Sequence, residues 1–330
     1  MGYITLNKKN FLNNLNVISK KAAGTEHIAL VLKDNAYGHG LEIIAKIASD
    51  FGIRHAVVRR LAEVEKIEKL FDTILVLSGI PTKLYSNSIH FTINSLADIE
   101  KILSGSSVEL KVDTGMSRNG ISEDELEFAL KKINEKNLVL KGVFTHHSSA
   151  GTENNIFELQ NDKFTKIKSR VLSLVANKPR FHSANSEALF RDGLKGDESI
   201  ARVGIAAYGC LENVFLKSVL SLVAEKIASR EIQKGDCVGY DATYKATKKE
   251  IISTYDVGYS DGFSRLHKEY FTVKNYKVLG RISMDNISLN STDDEVVLFD
   301  DAREYAKACD TISYEVLVRL GEHLKRKIVG

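Results

Sequence analysis

The chain has 330 residues and a formal net charge of +3, from 46 basic and 43 acidic side chains. A charge this balanced excludes nucleic acid as the main partner, and no apolar run approaches the length of a membrane span. The length suits one large domain and a smaller one, and 43% hydrophobic residues are enough for a sizeable core.

The N-terminus and the cysteines indicate the compartment. Residues 1–11 are polar and lack the apolar stretch and cleavage site of a secretory signal, so we expect a cytoplasmic location. Cys210, Cys237 and Cys309 are odd in number and far apart in sequence. This spacing predicts neither a disulfide framework nor a cysteine metal site.

Short apolar runs alternate with amphipathic stretches over the first two thirds of the chain. Apolar residues at helical spacing in 41–48 and 126–133 predict helices, and Ser122 with Glu125 resembles a capping box before the second. Strands that alternate with helices favour a parallel sheet, and this many repeats favour a closed (β/α)8 barrel over an open sheet. The predicted strands are Ile28–Leu32, Ala56–Val58, Thr73–Leu77, Phe91–Ile93, Val108–Val112, Leu138–Phe144, Arg180–Ser183 and Ile200–Val203.

The pattern changes after about Ser221, which predicts a barrel domain over 1–221 and a smaller, mostly β domain over 222–330. Glycines punctuate the second region as turns, and Thr311–Lys327 is predicted as a closing helix. The strand-like segments of this region are Cys237–Tyr244, Glu250–Tyr255, Tyr276–Ile282 and Glu295–Phe299.

Polar groups follow the predicted barrel strands, and the carboxyl ends of such strands hold the active site of a barrel. Lys33 ends the first strand before a glycine-rich turn. A desolvated lysine there has a lowered pKa and can form a Schiff base, whereas an ordinary strand-end lysine reaches solvent. Lys111 and Arg118 lie in a later charged loop, for which an internal salt bridge is the alternative. Of the adjacent His146 and His147, at most one faces the barrel mouth, and no nearby carboxylates support a metal site.

Further candidate site residues lie after the last two predicted barrel strands and in two turns of the second domain. Ser186 and Gly204 stand where barrels bind phosphate, although Ser186 fits a plain helix N-cap equally well. Tyr259 lies between glycines in a turn, and Met284 follows a predicted strand. Each of these features is ambiguous when it is taken alone.

In this order, the features resemble the alanine racemases, which are fold-type III pyridoxal-phosphate enzymes. The stretch Lys33–Gly40 (KDNAYGHG) and the turn Gly258–Gly262 (GYSDG) carry the resemblance, which extends from Lys33 to Tyr314. It implies racemisation of alanine with pyridoxal 5'-phosphate, which supplies D-alanine for cell-wall peptidoglycan. It also implies a homodimer in which the barrel of one subunit faces the β domain of the other.

The resemblance further implies roles for single residues. Lys33 would hold the cofactor and act as the base on one face of the substrate, and Tyr259 of a second subunit would be the base on the other face. Arg202 would face the pyridine nitrogen, and Lys111 matches a lysine that is carbamylated in many members. The implied cofactor-binding residues are Lys33, Tyr37, His146, Asn185, Ser186, Arg202, Gly204 and Ile205, and the implied substrate-binding residues are Arg118 and Met284.

Three positions depart from the family pattern: Asp34 replaces the usual alanine, His147 replaces an aromatic or apolar residue, and Glu322 stands in a last turn without the usual tyrosine or serine. They leave the substrate range open, so a racemase that acts on serine or other small amino acids is one alternative. A decarboxylase of basic amino acids and a cofactor-binding protein without racemase activity are two more. The tyrosine of the GYSDG turn disfavours both.

Overall fold

The computed structural model describes residues 2–265 and 269–330. The chain divides into two compact units. The barrel unit comprises Leu15–Asp34 and Leu41–Ala207, and the β unit comprises Met1–Asn14, Asn35–Gly40 and Tyr208–Gly330. The boundary predicted between residues 221 and 222 stays a prediction. Within the described ranges, no helix is both long and apolar enough to cross a membrane.

Eight parallel strands form the sheet of the barrel unit, and every strand predicted from the first two thirds of the sequence is confirmed. They are β2 (Ile28–Val31), β3 (His55–Val58), β4 (Thr73–Val76), β5 (Ile89–Ile93), β6 (Ser107–Lys111), β7 (Val139–Phe144), β8 (Arg180–His182) and β9 (Ala201–Val203), in the sheet order β8-β7-β6-β5-β4-β3-β2-β9.

Two backbone hydrogen bonds bring the ends of this sheet together. The N–H of Ser199 donates to the carbonyl of Phe181 over 3.0 Å, and the N–H of Arg202 donates to that of Ala184 over 2.9 Å. The sheet is therefore nearly closed, as the predicted (β/α)8 barrel requires. Most of its strand residues are buried, which explains why the strands are rich in apolar residues in the sequence.

Helices follow the strands, and both predicted helices are present. Glu125 donates its N–H to Ser122 Oγ over 3.3 Å, and Ser122 donates its N–H to Glu125 Oε2 over 3.0 Å, so the predicted capping box is formed. The helices of this part of the chain are α1 (Lys8–Ala22), α2 (Lys33–Tyr37), α3 (Leu41–Phe51), α4 (Leu61–Ile67), α5 (Leu96–Lys101), α6 (Leu126–Glu135), α7 (Ile156–Leu174) and α8 (Ser186–Asp192).

The β unit is built on a six-stranded sheet, with a separate two-stranded hairpin. The strands are β1 (Tyr3–Asn7), β10 (Leu220–Ile232), β11 (Cys237–Val238), β12 (Tyr244–Lys245), β13 (Glu250–Tyr255), β14 (Ile287–Leu289), β15 (Glu295–Phe299) and β16 (Lys325–Val329), and the helices are α9 (Ala302–Cys309) and α10 (Ser313–Arg319). The order of the strands in the large sheet is β14-β13-β10-β1-β16, and β15 also pairs with β10. Within this sheet, only the β1–β16 pair is parallel.

Two predicted strands of the β unit, Glu250–Tyr255 and Glu295–Phe299, are confirmed, and two others are corrected. Cys237–Tyr244 holds β11 and the first residue of β12, with a 3-10 turn between them. Tyr276–Ile282 is not a strand and makes only isolated bridges. The strand that pairs with β13 at the edge of the sheet is β14 instead. Which segment forms this edge strand is decided by long-range pairing and not by local apolar content.

The single helix predicted over Thr311–Lys327 is also wrong. Helix α10 ends at Arg319, and the chain continues into β16. Residues of β16 pair in parallel with β1, from Tyr3 opposite Lys325 to Asn7 opposite Val329. This partner lies at the far end of the sequence, so the helical composition of the segment is overridden by tertiary pairing.

A substitution at Gly209 would measure how tightly the loop before β10 is packed. Its φ is +75°, and a Cβ there would lie 1.8 Å from the backbone oxygen of Lys217. We expect Gly209→Ala to lower the free energy of unfolding by more than about 4 kcal/mol, because the contact is with backbone. Gly235 has φ +99°, but no atom of the described residues lies within 4 Å of such a Cβ. Gly235→Ala should therefore lose only about 1–2 kcal/mol. Equal losses in urea unfolding would contradict this packing.

Candidate active site at the carboxyl ends of the barrel strands

The predicted site residues of the barrel unit lie at the carboxyl ends of its strands. Lys33 follows β2, Lys111 ends β6, His146 follows β7, Ser186 begins the helix after β8, and Arg202 lies in β9. Because the strands are parallel, their carboxyl ends meet at one mouth of the barrel. The fold therefore gathers at one end side chains that are up to 169 residues apart in sequence, from Lys33 to Arg202.

The backbone after Lys33 adopts a conformation that non-glycine residues avoid. Asp34, Asn35, Ala36 and Tyr37 all have φ between 52° and 56°, so α2 is a left-handed turn. This conformation costs roughly 1–2 kcal/mol per non-glycine residue and persists only where its surroundings impose it. The sequence predicted a turn here but not its handedness.

Contacts within the β unit hold the second half of this turn. The guanidinium of Arg326 donates to the carbonyl of Gly38 from Nε over 3.2 Å and from Nη2 over 3.0 Å. The Nδ1–H of His39 donates to the carbonyl of Tyr37 over 2.8 Å, and the His39 ring stacks on Tyr208 at 4.4 Å. Arg326 therefore supports the turn that follows Lys33, a role that sequence reasoning missed because the two segments are far apart in the chain.

The environment of Lys33 favours its neutral amine. Burial lowers the pKa of Lys33, and the charges of Arg118 and Arg59 lower it further, against the opposing effect of the Asp34 carboxylate. Asp34 is itself paired with Arg59 at 3.3 Å, and its N–H donates to Glu63 Oε1 over 2.7 Å. Asp34 thus opposes the effect of burial, but the pKa of Lys33 remains lowered, which favours the nucleophilic form of the amine.

A cluster of cationic side chains surrounds the mouth. Burial, followed by the charges of Arg118 and Arg202, lowers the pKa of Lys111 to about 8. Burial and the same two arginines lower the pKa of His146 to about 3, so its ring is neutral. Asp113 binds the backbone of its own loop, accepting the N–H groups of residues 115–117 over 2.9, 3.0 and 3.2 Å. The mouth is therefore positively charged and suited to an anionic ligand.

The two last strand ends form a small polar cradle. Asn185, not Ser186, is the N-cap of α8, because its side chain accepts the N–H of Ala188 over 2.9 Å. The N-cap alternative for Ser186 is therefore wrong. Its Oγ instead accepts the N–H groups of Gly204 and Ala206 over 3.2 and 3.4 Å. Ser186 thereby joins the start of α8 to the backbone after β9, and Ile205 lies between the two donors in the chain.

The two adjacent histidines have different surroundings. His147 is buried, its Nε2 lies 3.0 Å from Asn161 Oδ1, and its ring packs against Phe157, both in α7. Burial lowers the pKa of His147 to about 4. His146 is partly exposed and lies near the cationic cluster. Arg202 acts on both histidines, and Arg118 and Lys111 also act on His146, so the expectation that at most one of the pair faces the mouth stays a prediction.

Within the β unit, the structure brings Tyr259 and Met284 together. The N–H of Ser260 donates to the carbonyl of Met284 over 2.9 Å. Asp261 fixes the turn, accepting the N–H of Gly258 over 2.8 Å and lying 2.8 Å from Nε2 of His323. The side chains of Tyr259 and Met284 are 43% and 54% exposed, so both are available to a ligand or a partner.

The fold and the mouth define a barrel enzyme whose polar site lies at the carboxyl ends of its strands, joined in one chain to a β domain. The alanine racemase N-terminal domain model matches residues 6–212, and the C-terminal domain model matches 219–328. The chain therefore belongs to the alanine racemase family, whose members are amino-acid isomerases.

Individual relatives agree with this assignment. An alanine racemase of Nitratiruptor sp. is 45% identical over 336 residues, covering 99% of each chain. The structure of alanine racemase from Clostridium difficile 630 matches with a TM-score of 0.90 and 26% identity, over 99% of this chain and 95% of that one. The alanine racemase of Bartonella henselae, solved with covalently bound pyridoxal phosphate, matches with a TM-score of 0.83 and 27% identity, over 100% and 99%.

The buried His39 makes stability depend on pH. Burial lowers the pKa of His39 from 6.5 to about 4. The unfolded chain therefore binds a proton at this histidine at a higher pH than the folded protein does. The stabilising contribution of the neutral His39 ring to the free energy of unfolding is complete above pH 6.5 and is lost as the pH falls towards 4. We expect His39→Gln to reduce the slope of unfolding free energy against pH by about 1.4 kcal/mol per pH unit within that window. Urea unfolding at several pH values measures the slope, and parallel curves for the two proteins would contradict it.

Proposed function

We propose that the chain interconverts L- and D-alanine with pyridoxal 5'-phosphate at the barrel mouth, and so supplies D-alanine for peptidoglycan in the cytoplasm. The observation that carries the proposal is the joint presence of a desolvated Lys33 amid a cationic mouth and an exposed Tyr259 in the β unit. Similarity to alanine racemases over the full length supports the same conclusion.

The donor set fits this cofactor. Its aldehyde reacts with a neutral amine, and burial lowers the pKa of Lys33 towards that form. Its phosphate requires hydrogen-bond donors, and the Ser186 hydroxyl, whose oxygen accepts the N–H groups of Gly204 and Ala206, would donate its own hydrogen. The charge of the mouth suits the phosphate and a substrate carboxylate together. When bound, the cofactor supplies an electron sink that makes the α-proton of an amino acid acidic.

The binding residues divide by the part of the cofactor that they would hold. Arg202 would face the pyridine nitrogen, and because its guanidinium keeps its protons it would donate a hydrogen bond without protonating the ring. The cofactor would then be a weaker electron sink, which disfavours transamination. His146 would lie against the ring. Tyr37, Asn185, Ser186, Gly204 and Ile205 would hold the phosphate.

The substrate carboxylate is bound by Arg118 and by the backbone of Met284. Lys111 orients Arg118, and its pKa of about 8 leaves a substantial neutral fraction of the amine near that pH. A neutral amine can react with carbon dioxide, so Lys111 is the residue we propose to be carbamylated. The resulting anion would pair with Arg118.

Racemisation requires a proton to leave from one face of the α-carbon and another to arrive at the opposite face. Lys33 serves one face, and Tyr259 of a second subunit serves the other. The exposure of Tyr259 and Met284 in the β unit supports this arrangement, because residues that complete a partner's site must be accessible on the isolated chain. The proposed assembly is therefore a homodimer with shared active sites.

The variant Tyr259→Phe tests the two-base scheme. It keeps the ring but loses the hydroxyl, so it should bind pyridoxal phosphate normally. Exchange of the α-proton in deuterated water should fall by about 10²-fold or more on one enantiomer of alanine only, since each base serves one face. Nuclear magnetic resonance and chiral analysis together measure exchange and inversion.

Tyr240→Phe is the matched control, because Tyr240 is an exposed tyrosine of the same unit with no assigned role. Mixing Tyr259→Phe with Lys33→Ala protein should produce hybrid dimers that regain exchange. Equal loss on both enantiomers would show that Tyr259 is not a face-specific base, and absence of recovery would count against the shared site.

The alternatives differ in substrate. A hydroxyl added to a substrate is rejected only modestly by an apolar pocket, so serine should be a slower substrate than alanine by about tenfold or more. Comparison of kcat/KM for alanine, serine and lysine measures this preference. Equal values for alanine and serine would establish a broad-range racemase. Carbon dioxide release from lysine would indicate a decarboxylase, and cofactor binding without any α-proton exchange would indicate a binding protein.

A further inference from the structure

A fully buried carboxylate lies within the barrel behind the mouth. Glu109 is two residues before Lys111 in β6, so both side chains are on the same face of the strand. Glu109 has 0% exposure. Its Oε1 accepts from Arg180 Nε over 3.0 Å and from His90 Nδ1 over 2.6 Å, and its Oε2 lies 2.6 Å from His182 Nε2.

The barrel provides space for this carboxylate. Glu109 on β6 reaches Arg180 and His182 on β8, and must pass the intervening strand β7. The residue on β7 at that point is Gly142, where a Cβ would lie 2.5 Å from Oε2 of Glu109 and 3.1 Å from Cγ of Arg180. A side chain at position 142 is therefore incompatible with the observed position of the carboxylate.

Glu109 is ionised despite its burial. Burial alone would raise its pKa, but the charge of Arg180 and the hydrogen bonds of His182 and His90 hold the pKa of Glu109 well below its usual range. Such a group can only accept hydrogen bonds. The Nε2 of His182 must therefore carry the proton in the contact with Glu109.

The proton on Nε2 of His182 determines whether the other ring nitrogen, Nδ1, donates or accepts a hydrogen bond. Burial lowers the pKa of His182 to about 3, so the ring has a single proton, which lies on Nε2. Nδ1 is left as an acceptor, and it accepts the Nη1–H of Arg202 over 2.6 Å. Arg202 also donates from Nη2 to the carbonyl of Thr145 over 2.5 Å, and the Phe144 ring packs on both His182 and Arg202.

We propose that Glu109 is a positioning residue for Arg202: by holding the proton of His182 on Nε2, it makes Nδ1 the acceptor that orients the guanidinium towards the pyridine nitrogen. The inference rests on the proposed function for the identity of the group that Arg202 faces. Glu109 touches neither substrate nor cofactor and acts only through His182.

The variant Glu109→Gln should reverse the hydrogen bonds. The glutamine oxygen will face the charged Arg180, since its NH2 group cannot approach a cation, and the NH2 group will then face His182. To accept from it, His182 must move its proton to Nδ1. That proton would oppose the Nη1–H of Arg202, and the guanidinium would be displaced.

The experiment uses the full-length protein with and without pyridoxal phosphate. In the apoprotein, ¹⁵N shifts of His182, assigned by their absence in His182→Gln, should show the proton on Nε2 in the wild type and on Nδ1 in Glu109→Gln. Affinity for pyridoxal phosphate should fall about tenfold, the loss expected for one hydrogen bond involving a charged group. Pyruvate release per racemisation turnover of L-alanine should rise, because transamination leaves the amino group on the cofactor.

Glu198→Gln is the matched control. Glu198 is also a buried carboxylate whose charge acts on Arg202, but it accepts from the N–H and hydroxyl of Ser183 over 2.8 and 2.7 Å and not from His182. It should leave the cofactor affinity and the pyruvate ratio unchanged. Adding Arg180→Met to Glu109→Gln frees the glutamine to turn its oxygen towards His182, so the double variant should recover most of the affinity.

The results separate this inference from its alternatives. Equal effects of Glu109→Gln and Glu198→Gln would show that only charge matters, and would overturn the role of the tautomer. An unchanged His182 shift, or a loss of thermal stability with affinity and pyruvate ratio unchanged, would also overturn it. Wild-type protein that binds no pyridoxal phosphate would contradict the proposed function and the role of Arg202, while the apoprotein shifts still report on Glu109 and His182.

Discussion

The main physical constraint on the barrel mouth is that several cationic side chains are partly or fully removed from water close to one another. The charge of Arg118 acts on both Lys33 and Lys111, that of Arg202 acts on Lys111, and burial lowers the pKa of Lys33, Lys111 and Arg202. Desolvated like charges are unfavourable, and the protein accepts this cost only where function uses it. An anionic ligand that binds the folded state alone relieves the repulsion and stabilises the fold by mass action. The mouth is therefore built for an anionic occupant.

The placement of the reactive lysine is a second constraint. The four left-handed residues after Lys33 store strain that is offset by Glu63 at one end of the turn and by Arg326 and His39 at the other. A strained turn that is held from both ends has few alternative conformations. Lys33 therefore leaves the sheet in one defined direction, which the proposed role of this residue towards a cofactor and a substrate would require.

The barrel could be predicted from the sequence because most residues of its strands are buried and most of these strands contain short apolar runs. The mouth residues could be predicted from their positions after those strands together with the family resemblance. The errors lie where distant partners decide the structure: β16 forms because β1 is available, and the edge strand is β14 because it fits β13. Arg326 and Glu109 were missed for the same reason. Only Glu109 left a local signal, as a carboxylate in an apolar strand on the same face as Lys111.

The pairing of β1 with β16 and with β10 has a consequence for synthesis of the chain. The strand Tyr3–Asn7 precedes the barrel strands in the chain, whereas both of its neighbours, Leu220–Ile232 and Lys325–Val329, follow them. All of the barrel strands are translated before either neighbour, so the barrel sheet can pair while both edges of β1 are still open. The sheet of the β unit, which joins strands that are far apart in the chain, therefore has a high contact order and forms slowly. Until β10 and β16 have been made, the unpaired edges of β1 can pair with other chains, so we expect this strand to be prone to aggregation during synthesis.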